Sequence, residues 1–161
     1  MSGKNIAVFG IYASSLDAER GAADLISAGF SGPDISVLLP DVRGKGAAAG
    51  DLLGGALGIL AGAGAMVLPG VGPIVAAGPI LSGLADLRVG RPVGGLVGAL
   101  GGLGIPEYEA RRYEGRVKDG GTLLSVYCET APRVKRATQV LNSSGADDVV
   151  ASNESRSETV Q

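Results

Sequence analysis

The sequence predicts an α+β fold built from two β-α-β halves of one sheet, and three observations carry that reading. A strand-helix-strand pattern occupies residues 4–40, and a second of similar length occupies residues 120–151. Each of the two helices is followed by a glycine placed to stop it, Gly29 in the first half and Gly145 in the second. Between the halves, residues 46–105 form a long apolar stretch crowded with Gly and Ala. Two such units joined through an insert predict a ferredoxin-like β-α-β-β-α-β sandwich, mostly antiparallel, with both helices on one face, interrupted by a Gly/Ala-rich helical hairpin.

The elements follow in order. Residues 5–12 are short, rich in Ile, Val and Phe and followed by a turn, as a buried strand should be. Ser14 or Ser15 then caps a helix with Asp17 and Glu19 in its first turn, where negative charge meets the positive end of the helix dipole. Its predicted apolar face is Leu16, Ala22, Ala23, Leu25 and Ile26. Pro33 and Asp34 make a turn, and 35–39 is a second strand. In the C-terminal third, 122–128 alternates with Leu124, Val126 and Cys128 on one face. Thr130 and Pro132 open a helix with Val134, Ala137 and Leu141 as its stripe, and 148–151 is the last strand. Pro106 opens an amphipathic helix over 106–119, with Ala110, Tyr113 and Val117 on one side and Arg111, Arg112, Arg116 and Lys118 elsewhere. Its expected role is a cover that returns the chain to the third strand. The polar, unpatterned tail, 152–161, reads as disordered.

The insert divides into apolar segments at 47–68, 74–87 and 93–105, the first two joined by the turn sequence Pro69-Gly-Val-Gly-Pro73. Gly50, Gly54, Gly58 and Gly62 are spaced by four, as are Gly90, Gly94, Gly98 and Gly102. On a helix that spacing stacks the glycines into a groove without side chains, which a second helix can approach closely. Each glycine costs a helix about 1 kcal/mol relative to Ala, so the ladders predict a compensating packing face, and a homo-oligomer built on it.

Residues 52–85 contain no charged residue, and two settings stay open for them. Arg43 and Lys45 before the stretch, with Arg88 and Arg91 after it, suit a membrane hairpin with both ends in the cytoplasm. Three spans are excluded if both halves share one sheet. Against a hairpin, the second segment carries Pro79 and runs for roughly 21 Å as a helix, short of a hydrocarbon core of about 30 Å. The other setting is burial of the insert against itself or a twin subunit. The N-terminus leads directly into a strand with no signal peptide pattern, so the expected location is cytoplasmic, with attachment to the inner membrane through 52–85 as the open alternative.

Chemistry is sparse. The chain has no His, which removes the commonest general base and metal ligand together. No P-loop or dinucleotide fingerprint follows the first strand. The carboxylate pairs Asp17/Glu19, Glu107/Glu109 and Asp147/Asp148 read as helix-start or solvated groups, and the lone Cys128 as a small buried hydrophobe. A net charge of −2 offers no attraction for nucleic acid. No enzyme activity, cofactor or metal is expected. The basic group Arg111, Arg112, Arg116 and Lys118 reads as the wet side of a helix, with an anionic lipid surface as its other reading.

At this point the chain resembles a known family. Ala7-Val-Phe-Gly-Ile-Tyr12, the helix from Asp17-Ala-Glu-Arg20 to Ser27-Ala-Gly-Phe30, and Asp34-Ile-Ser-Val-Leu38 are similar to the general stress protein 17M-like domain of bacteria. The run from Pro69 to Pro79, the segment Leu103-Gly-Ile-Pro-Glu-Tyr-Glu-Ala110 and Gly120-Gly-Thr-Leu-Leu-Ser-Val126 agree with it. The resemblance covers roughly residues 5–150. It implies a stress-associated protein and supplies no catalytic residues. The expected function is therefore a non-catalytic protein that self-associates through its glycine-ladder helices, in the cytoplasm or as a membrane-inserted hairpin. The alternative is a small-molecule or lipid binding module using the insert or an open sheet face.

Overall fold

The computed structural model describes residues 6–40, 63–68, 72–77, 95–102 and 104–152. Strand β1 (Ile6–Tyr12) leads into helix α1 (Ser15–Ser27) and strand β2 (Ile35–Pro40). Strands β3 (Ala63–Leu68) and β4 (Gly72–Ala77) follow, then helices α2 (Gly95–Gly102) and α3 (Glu107–Lys118). Strand β5 (Thr122–Cys128), helix α4 (Ala131–Ser143) and strand β6 (Asp147–Ala151) complete an α+β fold. The six strands form one sheet in the order β3-β4-β2-β5-β1-β6, and every adjacent pair is antiparallel.

Strands β1, β2 and β5 are buried on both faces. On one side Val8 and Tyr12 of β1, Ile35, Val37 and Leu39 of β2, and Leu124, Val126 and Cys128 of β5 pack with Ala18, Ala22 and Leu25 of α1 and Ala137, Val140 and Leu141 of α4. On the other, Phe9, Ile11, Leu38 and Leu123 pack with Leu96 and Leu100 of α2 and Ala110, Tyr113 and Val117 of α3. An antiparallel sheet with one wet face shows strict alternation; a strand covered on both sides reads as a continuous apolar run. That is why β1 and β2 lack polar positions at every second residue. The open sheet face expected from sequence is absent over these strands, because α2 and α3 occupy it. Each large side chain so buried contributes about 1.5–3 kcal/mol by transfer from water.

The insert differs from its expectation. Residues 63–68 and 72–77, assigned from sequence to a helical hairpin, are paired strands that extend the sheet beyond β2. The reason lies in length and punctuation. Leu68 stands opposite Gly72 across the connection at residues 69–71, and a short apolar run bounded by Pro and Gly satisfies a buried strand as well as a helix. The β-branched Val67, Ile74 and Val75 then favour the strand. Ile74 and Ala76 enter one core and Val75 the other. The remainder of the predicted hairpin lies outside the described residues. Among the described residues no helix is long and apolar enough to cross a membrane.

Local chemistry sets the helix ends. Ser14 Oγ accepts from the Asp17 backbone N–H at 3.2 Å, and Thr130 Oγ1 accepts from that of Arg133 at 3.3 Å. Among the described residues, all four α-helices stop in the same way. Gly29, Gly104, Gly120 and Gly145 have φ between 95° and 104°, and the residue after each donates to a carbonyl five positions back. This is the Schellman ending, which satisfies carbonyls the helix leaves open and needs a left-handed residue. The buried stripe of α1 is Ala18, Gly21, Ala22 and Leu25; Leu16, placed on the apolar face by sequence, is 61% exposed because it falls outside the spacing of that stripe. At the chain's other end Ser152, assigned to a disordered tail, is buried. Its N–H donates to the Ala7 carbonyl at 2.7 Å, and its Oγ accepts from the Ala7 N–H at 2.9 Å. Residues 153–161 lie outside the described residues.

Two glycines in helices should respond oppositely to alanine. A Cβ at Gly21 meets the ring of Tyr12, 2.7 Å from Cζ, whereas one at Gly115 meets nothing within 4 Å. Gly21→Ala should cost about 1–3 kcal/mol from overpacking, and Gly115→Ala should gain about 0.5–1 kcal/mol from helix propensity. Thermal unfolding followed by circular dichroism checks both, and a stable Gly21→Ala would contradict the Tyr12 packing.

Candidate functional site

Six of the eight ladder glycines, Gly50, Gly54, Gly58, Gly62, Gly90 and Gly94, lie outside the described residues. The other two, Gly98 and Gly102, lie on α2. Leu96 and Leu100 of that helix are fully buried and Val97 packs against the same core. With 3.6 residues per turn, Gly98 and Gly102 fall on the side of α2 roughly opposite the two leucines. Gly98 is half-buried, while the adjacent Gly101 is exposed, with no atom within 4 Å of where a Cβ would stand. The helix thus presents its leucines inward and its four-spaced glycines away from them.

Helix α2 packs on α3, and α3 is tied to the start of β6 by a group of polar contacts. Arg112 pairs with the Asp148 carboxylate, and Arg116 reaches Asp147 at 3.3 Å and Asp148 at 3.9 Å. The buried Tyr113 hydroxyl donates to the Asp148 carbonyl, with the Phe9 carbonyl also within reach at 3.4 Å. These contacts meet at a β-bulge. Ile11 pairs with Asp147 and Phe9 with Val150, so Asp148 and Val149 together stand opposite Gly10. A Cβ at Gly10 would lie 2.8 Å from that of Ala146, so the strand facing the bulge has room only for glycine.

Asp148 has a φ of 52°, the only non-glycine residue with positive φ among the described residues. Glycine is the residue that such a bulge position favours. An aspartate there accepts backbone strain and gains two arginine partners. The arginine side chains are 45% and 35% exposed, enough for solvent to weaken the pairs, so the apolar burial beneath α2 and α3 holds this layer in place. The ion pairs and the Tyr113 hydrogen bond set its register.

The remaining groups are quiet chemically. Burial pushes the Cys128 thiol up to about 11, against a smaller lowering from Arg133, which leaves it protonated and a poor nucleophile at neutral pH. Desolvation raises Tyr113 first, then Glu109 and Asp148. Tyr12 is raised chiefly by burial, against its hydrogen bond with Ser144 Oγ at 2.6 Å. Tyr108 holds Arg112 by a hydrogen bond of 3.0 Å and raises its pKa, with Asp148 adding to the effect. Glu107 bonds Arg111 one turn on, at 2.6 and 2.9 Å. Among the described residues no cluster of Cys, Asp and Glu is placed to hold a metal ion.

By sequence Asp147/Asp148 and the arginines of α3 are wet residues; Asp147 is 64% exposed, whereas the Asp148 side chain is only 17% exposed and meets the arginines, a contact hidden from sequence. Their separation of more than thirty positions leaves no local signal. Comparison with protein-family models, with curated proteins and with solved structures gives no match to this chain.

Two outcomes follow. Asp148→Ala should be less stable than Asp148→Gly by about 1 kcal/mol, because only the alanine keeps the left-handed penalty; urea unfolding of the two variants decides it, and equal midpoints would remove the strain. Cys128, whose folded pKa lies above its ordinary 9.0, contributes stability that is present below about pH 9 and lost as the pH rises towards about 11. A Cys128→Val variant should therefore lose less stability than the parent over that window in urea titrations.

Proposed function

We propose that this chain is a non-catalytic bacterial stress-associated protein that self-associates through its glycine-ladder helices. The observation that carries the reading is the orientation of α2, with Leu96 and Leu100 in the core and Gly98 and Gly102 on the side away from them. Glycines cost a helix stability wherever they lie, and an outward row of them is compensated when another helix approaches closely. The stress assignment rests on the resemblance of residues 5–150 to the general stress protein 17M-like domain. The non-catalytic part draws on the lack of His in the chain and on the buried, protonated Cys128 thiol.

The same reading takes the core as a ferredoxin-like sandwich. What supports this is the strand order β2-β5-β1-β6 across the two β-α-β halves, with α1 and α4 on a common face; the β3–β4 pair lies beyond β2. For residues 52–85 the reading favours burial within a cytoplasmic assembly over a two-helix membrane hairpin, because β3 and β4 occupy the middle of that stretch. Lipid binding on the sheet is disfavoured by the α2–α3 cover.

Gly98→Leu, alone and with Gly94→Leu, tests the interface. The expected result is a fall in mass by multi-angle light scattering with the circular dichroism spectrum retained. An oligomer of unchanged mass would sink the proposal. Washing expressed membranes with alkaline carbonate separates the two settings: release supports burial, and retention in the pellet restores the membrane hairpin.

A further inference from the structure

Helices α1 and α4 lie side by side on one face of the sheet, and their outer surface has two halves of opposite charge. The helices run antiparallel. Arg133, in the first turn of α4, donates to the Gly29 carbonyl beyond the end of α1 at 3.3 Å and lies over the Phe30 ring. At the other end Ser144, closing α4, meets the hydroxyl of Tyr12, which precedes α1. Helix α1 carries Asp17, Glu19 and Asp24 against Arg20 alone, whereas α4 carries Arg133, Lys135 and Arg136 and no acid. Arg133 is committed to Gly29 and Phe30, and Arg20 stands 4.0 Å from Asp17. Asp24, Lys135 and Arg136 are exposed, and none of them makes an ion pair among the described residues. Asp24 lies in the last turn of α1, and Lys135 and Arg136 in the second turn of α4. All three therefore stand toward the end where Gly29 and Arg133 meet. The outer side of α1 also holds two apolar positions seven apart, Leu16, 61% exposed, and Ala23.

We infer that this α1–α4 surface is a contact between two copies of the chain, with α1 of each copy lying over α4 of the other. A twofold axis along the seam between the two helices produces that arrangement and keeps every residue at its own height along the seam. Asp24 of one copy then meets Lys135 and Arg136 of the second, and the pairing occurs twice. An isologous patch must complement itself, so it needs both signs of charge side by side, and such a contact closes at two copies. A surface of one sign would repel its own copy. Leu16 and Ala23 leave water in the same contact, which adds the non-directional part of the attraction, while the charges fix partner and register. The inference shares with the proposed function only the identity of the partner; α1 and α4 carry none of the ladder glycines.

Charge reversal in the full chain, followed by light scattering at low ionic strength, tests it. Asp24→Lys alone, and Lys135→Glu with Arg136→Glu as a second variant, each set like charges against one another in both halves of the contact. Each should fall to half the parent's mass with its circular dichroism spectrum retained. Mixing the two variants brings opposite charges together again in both halves, and the mixture should recover the parent's mass. Raising salt from about 0.1 M to about 1 M, which shortens the Debye length from about 10 Å to about 3 Å, should lower the mass of the parent. A monomeric parent, a reversed variant that keeps the parent's mass, or a mixture that gains none would each overturn the inference. Mass lost in Gly98→Leu while both reversed variants keep theirs would overturn this contact and leave the α2 interface standing. Mass lost in the reversed variants but kept in Gly98→Leu supports this contact and counts against the glycine interface.

Discussion

Strand β1 lies between β5 and β6, with Val8 and Tyr12 in one apolar core and Phe9 and Ile11 in the other. A strand placed in that way needs cover on both sides, and the rest of the molecule answers that need. Helices α1 and α4 close one face. Helices α2 and α3, drawn from the long segment between the halves, close the second. Without that layer Phe9, Ile11, Leu38 and Leu123 would face water, at a cost of about 1.5–3 kcal/mol for each side chain. Helices α2 and α3 are thus part of the core and not an appendage hung from it.

Polar contacts refine this arrangement without driving it. The Tyr113 side chain reaches the bulge at Asp148, and Arg112 and Arg116 converge on the same residue. Buried polar groups need partners, and the Tyr113 hydroxyl finds one in the Asp148 carbonyl. The strained Asp148 is tolerated because its surroundings determine it from several directions. Register at the sheet's outer strand and the seating of α3 are consequently one problem with one solution.

Much of the fold was legible because its cues are local. Ser14, Gly29, Thr130 and Gly145 mark helix ends by their own chemistry, and Ala110, Tyr113 and Val117 show the buried side of α3 by spacing alone. The strands 63–68 and 72–77 were not legible as strands, because a short apolar run without alternation, bounded by Pro and Gly, suits a buried helix segment as well as a strand. The helix over 106–119 was expected as a cover, but not the face it covers: nothing in Phe9 or Leu38 states which helix will lie over it. The meeting of Arg112 with Asp148 depends on tertiary placement and has no sequence signature. Of the candidate site, the spacing of Gly98 and Gly102 was visible, while their position opposite Leu96 and Leu100 required the core to be known.

The paired hydrogen bonds between Ala7 and Ser152 place the first and last strands of the core side by side at their outer ends. Because β1 and β6 are antiparallel neighbours, a force drawing the two ends of the chain apart would load those bonds first and the next pair only after they had failed. The core would open like a zipper, beginning at Ser152 and peeling β6 away, with far less resistance than strands pulled in shear. Its weakest direction under tension is therefore the one along which its own termini would pull.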